Sequence, residues 1–112
     1  MILGLIPARL KSSRLKNKLL LKLNNVPLII HTLKNASRSK KLNNLFVCTD
    51  SKKIFDKVKK YNGHPIMTST KHTNGTERIA SVAKNYKAKL VVDIQGDEIF
   101  INPTLIDKLI QF

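Results

Sequence analysis

Apolar residues along the chain switch repeatedly between a strand-like and a helix-like period, with turn residues at most of the switches. Ile2-Leu3-Gly4-Leu5-Ile6 is short, continuous and apolar, as expected of a strand covered on both faces, and Pro7 is predicted to end it. A polar, basic loop follows from Ala8 to Lys18. Pro27 can open a helix at its first position, and Ile29, Leu33 and Ala36 then share one face, with Lys34 and Arg38 off it. Leu45 to Thr49 reads as a strand, after which Asp50 or Ser51 caps a helix striped by Ile54, Val58 and Tyr61 and stopped by Asn62-Gly63. A brief extended piece at Pro65-Ile66-Met67 leads to a loop from Thr68 to Gly75. Ile79, Val82, Ala83 and Tyr86 mark the next helix. Leu90-Val91-Val92-Asp93-Ile94 is the most strand-like run and reads as a buried strand ending at Gln95-Gly96-Asp97-Glu98. Asn102 and Pro103 open a last helix carrying Leu105, Ile106, Leu109 and Ile110.

Strands alternating with helices predict an α/β fold: a mainly parallel sheet built by right-handed crossovers, with helices on both faces. Ligands bind such sheets beyond the carboxyl ends of the strands. Candidate chemistry is therefore confined to the loop from Ala8 to Lys18, to Thr49-Asp50, to Gln95 to Glu98, and to the loop at Gly75.

Length and composition narrow the class. A chain of 112 residues that is 42% apolar suits one modest domain, and it has no apolar run near the roughly 20 residues of a bilayer span. With no basic leader and long apolar stretch after Met1, the chain reads as soluble and not exported. Cys48 is the only cysteine, so no internal disulfide can form, and its apolar neighbours predict a packed thiol. The formal net charge of +14 favours polyanion partners in general. The lysines, however, are scattered, and the six aromatic residues form no stacking platform among them, which weakens the case for a nucleic-acid-binding module.

Three constellations carry candidate chemistry. Pro7-Ala8-Arg9-Leu10-Lys11-Ser12-Ser13-Arg14-Leu15-Lys16-Asn17-Lys18 concentrates cations at a strand's carboxyl end. Arginine grips phosphate oxygens with paired N–H groups and lysine adds a compact charge, so Arg9, Arg14 and Lys18 could hold a triphosphate. The P-loop spacing is absent. Asp97, after the strand at Leu90, could ligate Mg²⁺ bridging phosphate oxygens; the alternative is a plain turn capped by its own aspartate. Asn74-Gly75-Thr76-Glu77-Arg78 opens a helix whose free N–H groups suit an anion or a polar ligand edge, or is an ordinary cap. His31 reads as structural and His72 as a solvated loop residue. His31, His64 and His72 lack zinc-site spacing with Cys48.

Together these residues resemble the 3-deoxy-manno-octulosonate (Kdo) cytidylyltransferase family, also called the CMP-Kdo synthetases. The resemblance rests on Ile6-Pro7-Ala8-Arg9, Ser13-Arg14-Leu15, Lys18, Thr49-Asp50, His72, Gly75-Thr76-Glu77-Arg78 and Gln95-Gly96-Asp97-Glu98, and spans nearly all of the chain. It implies a Rossmann-like nucleotidyltransferase fold of three layers with a mainly parallel sheet, incomplete at this length. The implied activity is transfer of CMP from CTP to Kdo with release of pyrophosphate, for lipopolysaccharide synthesis in the bacterial cytoplasm. Mg²⁺ is the implied cofactor, CTP and Kdo the partners, with no nucleic acid, no membrane insertion and a homodimer for the full-length family. On this resemblance Arg14, Lys18 and Asp97 are catalytic. Pro7, Ala8, Arg9, Arg14, Lys18, Asn74, Gly75, Thr76 and Arg78 bind CTP, Gln95 touches the sugar acid, and Asp97 binds the metal.

The family usually has Pro-Gly-Lys-Pro where this chain has Lys16-Asn17-Lys18-Leu19, a serine at Asn74 and a proline at Ile99; no charged group is lost. Family members also continue through further strands that carry a second metal-binding aspartate, most Kdo contacts and the dimer surface. Phe112 ends the chain within or just after a helix that has no glycine stop. Residues 1–112 are thus expected to be the nucleotide-binding part of a longer enzyme, binding CTP weakly or not at all without turnover. A CMP-sialic acid synthetase is the sibling alternative, less similar because it usually has a glycine-rich first loop. A non-enzymatic basic module is the alternative from another class.

Overall fold

From the amino terminus the elements are β1 (Ile2–Ala8), a 3-10 turn (Lys18–Leu20), the short strands β2 (Lys22–Leu23) and β3 (Val26–Pro27), α1 (Leu28–Ala36), β4 (Asn44–Thr49), α2 (Lys52–Lys60), β5 (Pro65–Met67), α3 (Gly75–Tyr86), β6 (Leu90–Asp93) and α4 (Pro103–Ile110). The structure, a computed structural model, describes residues 1–9, 17–68 and 75–111. Strands β5-β4-β1-β6 lie side by side in that order, and all three pairings are parallel. Outward growth from β1 to β4 and β5 puts α1 and α2 on one face of the sheet. The return to the other side of β1 then carries α3 across the opposite face. The packing follows suit. Ile6, Ala8, Val47 and Ile94 meet Ile29, Ile30, Leu33, Ile54, Val58 and Ile106 in one buried cluster, while Leu3, Leu5 and Cys48 meet Val82 in a second.

Two sequence expectations change in detail, and one element is added. Pro7 does not end β1, which continues to Ala8 with Pro7 opposite Cys48. Leu5 O accepts from Ile94 N, so the alternate residues of β1 turn their backbone groups toward β6, and the N–H that Pro7 lacks would point past the last residue of that strand. The ladder therefore loses nothing. The run at Leu90 is a strand but not a buried one. Among the described residues it is paired only with β1, and Leu90 is 40% exposed. Between the basic loop and α1, β2 and β3 form a hairpin that the apolar pattern does not announce, since each strand has only two residues. Asn24 and Asn25 turn it with φ of 53° and 64°, the left-handed conformation that asparagine tolerates.

The helix limits follow the capping residues. Ser51, not Asp50, caps α2, its hydroxyl accepting from Ile54 N at 3.3 Å. Asn62 (φ 66°) and Gly63 close the same helix. Pro27 stands one position before α1, and Asn102 caps α4 by accepting from Thr104 N at 2.9 Å, with Pro103 at its first position.

Candidate functional site

The strand order reverses between β1 and β6, since the chain leaves β1 toward β4 and later returns to the other side of β1, and in such sheets the ligand crevice lies beyond the carboxyl ends of the strands at this point. Arg9 leaves β1 there, half-buried. Across the crevice, Ile94 is buried in the core and Gln95-Gly96-Asp97-Glu98 turns over the end of β6, with Glu98 N donating to Gln95 O at 3.2 Å. The 3-10 turn brings Lys18 to this turn. Its Nζ lies 2.7 Å from Asp97 Oδ2, joining residues 79 positions apart. Both side chains are about two-fifths exposed, so the pair faces solvent at the crevice mouth. The Lys18 hydrogen bond holds the Asp97 carboxyl below the usual carboxylate range.

Gly96 explains how close the two turns can come. A Cβ at this buried position would lie 3.2 Å from both Leu19 methyls and 3.3 Å from Ile29 Cδ1, so the acidic turn rests directly on the residue that follows Lys18. Asp93, at the end of β6, is pushed upward in pKa by desolvation and then by the neighbouring Glu98. Three of the chain's seven acidic residues therefore stand at this strand end, in a protein otherwise dominated by lysine.

A second part of the site lies at the carboxyl ends of β4 and β5. Arg78, in the first turns of α3, is fully buried. Its guanidinium donates to Asp50 Oδ2 at 3.3 Å and to Thr68 Oγ1, tying the loop after β4 to the end of β5. Thr49 supports the same corner, its hydroxyl accepting from Ser51 N at 3.0 Å and its carbonyl from Thr68 N at 2.8 Å. The start of α3 at Gly75 thus stands over an anchored arginine, with its N-terminus at the ligand-facing end of the sheet.

Of the sequence-predicted residues, Pro7, Ala8, Arg9, Lys18, Gln95 and Asp97 gather around the β1/β6 crevice, while Gly75 and Arg78 lie at the corner beside it. Gln95 is exposed. Arg14, Asn74, His72 and the side chain of Thr76 lie outside the described residues. His31 is structural, its Nε2 donating to Leu23 O at 2.7 Å and pinning the hairpin to α1. Cys48 is buried, and desolvation pushes its thiol up to about 12, in keeping with a packed residue. Sequence reasoning missed Thr68, Thr32 and Asn35. The last two hold the acidic turn from below, and their signal was polarity at or beside core positions of α1.

The family model for cytidylyltransferases matches residues 3–112. The chain belongs to the cytidylyltransferase family. The chain is 47% identical over 107 residues to the 3-deoxy-manno-octulosonate cytidylyltransferase of Leptospira interrogans serovar Lai, an alignment covering 95% of the chain and 43% of the relative. It is 43% identical over 111 residues to that of Chlamydia pneumoniae, covering 97% and 44%. Among solved structures it resembles a CMP:2-keto-3-deoxy-manno-octonic acid synthetase complexed with CTP, with a TM-score of 0.94 and 34% identity over 98% of the chain and 46% of that protein. A nucleotidyl transferase from Methanothermobacter, 17% identical, shares the Rossmann-like fold at a TM-score of 0.82. The chain thus spans less than half the length of the curated relatives it matches.

Proposed function

We propose that residues 1–112 are the nucleotide-binding part of an enzyme that transfers CMP from CTP to 3-deoxy-manno-octulosonate, activating this sugar for lipopolysaccharide synthesis. The observation that carries the reading is the meeting of Lys18 and Asp97 at the mouth of the β1/β6 crevice, 2.7 Å apart. A cation and a carboxylate from opposite ends of the chain suit a magnesium triphosphate, which presents both charges at once. The curated relatives at 47% and 43% identity are 3-deoxy-manno-octulosonate cytidylyltransferases.

In this reading Arg9, Arg14 and Lys18 grip the triphosphate beside the Pro7-Ala8 backbone. Asn74, Gly75 and Thr76 border the cytidine, Arg78, fully buried, anchors the corner beneath the start of α3, and Gln95 meets the sugar acid. Asp97 fits the Mg²⁺ that the family implies: its carboxylate is a hard oxygen donor, more than two-fifths exposed, with one oxygen already turned to Lys18. Among the described residues no group of three or more His, Cys, Asp or Glu could hold a metal. Besides the second aspartate that the family's further strands carry, the ion would take ligands from phosphate oxygens and water, as magnesium usually does. When bound, Mg²⁺ supplies neutralisation of charge on the departing pyrophosphate. In the reaction, the anomeric hydroxyl oxygen of the sugar bonds to the α-phosphorus, the α–β bridging bond breaks, and pyrophosphate leaves while the hydroxyl gives up its proton. Such a displacement needs positioning and charge neutralisation, and the chain supplies cations for both.

A homodimer for the full-length protein and a place in the bacterial cytoplasm belong to the same proposal. Among the described residues no helix is long and apolar enough to cross a membrane. The 112-residue chain alone is expected to bind CTP weakly and not to turn over. Titration with CTP and ATP, with and without MgCl₂, tests the reading. The expected result is Mg²⁺-dependent binding that prefers CTP and is lost in Asp97→Ala and in Arg14→Ala. Oligonucleotide binding with a steep salt dependence, indifferent to Asp97, would instead identify a basic nucleic-acid module.

A further inference from the structure

The acidic turn is held from beneath by a helix that carries none of the charged residues assigned to the site. Within the turn the backbone bonds are short-range, from Glu98 N to Gln95 O at 3.2 Å and from Ile99 N to Asp97 O at 3.0 Å. Two longer-range bonds arrive from α1. The Thr32 hydroxyl donates to Gly96 O at 2.8 Å and the Asn35 side-chain amide donates to Ile99 O at 2.6 Å, each across 64 positions. Their acceptors stand one residue before Asp97 and two residues after it, so the carboxylate is carried on a backbone segment fixed at both ends.

The placement of Thr32 shows that its bond matters. It is fully buried on the same face of α1 as Ile29, Leu33 and Ala36, where an aliphatic side chain would satisfy the core without a hydroxyl to bond. Its contact with Leu28 O of its own helix is long, at 3.5 Å, so the Gly96 carbonyl is its principal partner. Asn35 lies one helical turn on and reaches the same turn from a half-buried position.

We infer that Thr32 and Asn35 are positioning residues that set the height and direction of the Asp97 carboxylate against the 3-10 turn bearing Lys18. This rests on the reading of Asp97 as the ligand of the nucleotide's metal. An outer hydrogen bond that orients a metal ligand typically changes metal affinity 10–100-fold when it is removed. Residues whose only task was to hold the fold together would weaken binding with and without metal alike.

The test follows CTP binding through amide chemical shifts of the 112-residue chain, in EDTA and across a MgCl₂ series. In Thr32→Val and Asn35→Ala the MgCl₂ concentration giving half the metal-dependent effect is expected to rise about tenfold, whereas CTP binding in EDTA stays as in wild type. Thr32→Ser keeps the hydroxyl and is expected to stay within about twofold of wild type. Asn35→Ala, at the edge of the core, carries the test alone if Thr32→Val fails to fold. Unmoved midpoints in a wild type that does respond to MgCl₂, or a parallel fall in EDTA, would overturn the positioning role only. A wild type whose CTP binding ignores MgCl₂ would overturn the assignment of Asp97, and this inference with it.

Discussion

Arg78 is the charged side chain most deeply enclosed among the described residues, and it owes that to two partners that the linear sequence does not place beside it. Asp50 lies 28 positions away and Thr68 lies 10, and only the pairing of β4 with β5 brings both under the start of α3. Reading along the chain, an arginine in a helix's first turns is legible as a candidate, but its depth is not. Breaking a buried ion pair by removing one partner typically costs about 3 kcal/mol or more. Arg78→Leu is therefore expected to lose about 3 kcal/mol in urea unfolding, and Arg78→Lys is expected not to restore it, because one ammonium cannot reproduce a forked donor. A loss below about 1 kcal/mol would show that the guanidinium is not holding this corner. Cys48 gives the opposite case, a residue whose environment was readable from its neighbours. With its thiol pushed up to about 12 and no exposed surface, it is expected to resist Ellman's reagent in native protein and to react fully after denaturation. Fast native reaction would contradict the packing of β4 against α3.

Elements were legible in proportion to the length of their periodic signal. Each of the four helices among the described residues shows its apolar stripe, and the caps at Ser51 and Asn102 follow from residue type. The β2–β3 hairpin escaped because two-residue strands have no period to read, and its turn uses Asn-Asn in place of a glycine pair. Pro7 misled because the rule against proline in a strand concerns a donor that the ladder needs, and here β6 has already ended on that side. Element-scale docking also supplies a pH dependence. Asp107 of α4 accepts from Ser39 Oγ at 2.5 Å and from the backbone N–H of Lys40 and Lys41, fastening α4 to the segment after α1. These bonds, that from Ser39 foremost, hold its carboxyl below the usual range. A lowered native value means the contribution is present above the ordinary carboxylate value and is lost as pH falls through the native one. Asp107→Asn should therefore melt below wild type at pH 7, with the deficit closing as the pH is lowered toward 3. A deficit independent of pH would show that the carboxylate's charge is not what fastens α4.

At the scale of the whole molecule, alternation of strands and helices yields the parallel three-layer arrangement, and the rule that ligands bind beyond strand carboxyl ends selects the loops that gather there. The sequence could not reveal the sheet order β5-β4-β1-β6. That order makes β1 and β6 neighbours and lets Lys18 reach Asp97. Most of the +14 charge lies outside this crevice, so net charge alone points to polyanions in general while the fold points to one place. The central claim is that CTP with magnesium occupies this place. Amide chemical-shift mapping of the chain with CTP and MgCl₂ tests it directly. The account predicts shifts confined to Ala8, Arg9, Lys18, Gly75 to Arg78 and Gln95 to Glu98, with Asn43, Gly63 and His64 at the opposite end of the sheet unmoved. Shifts centred on that opposite end, or spread over the lysine-rich surface of α2 without the crevice, would contradict it.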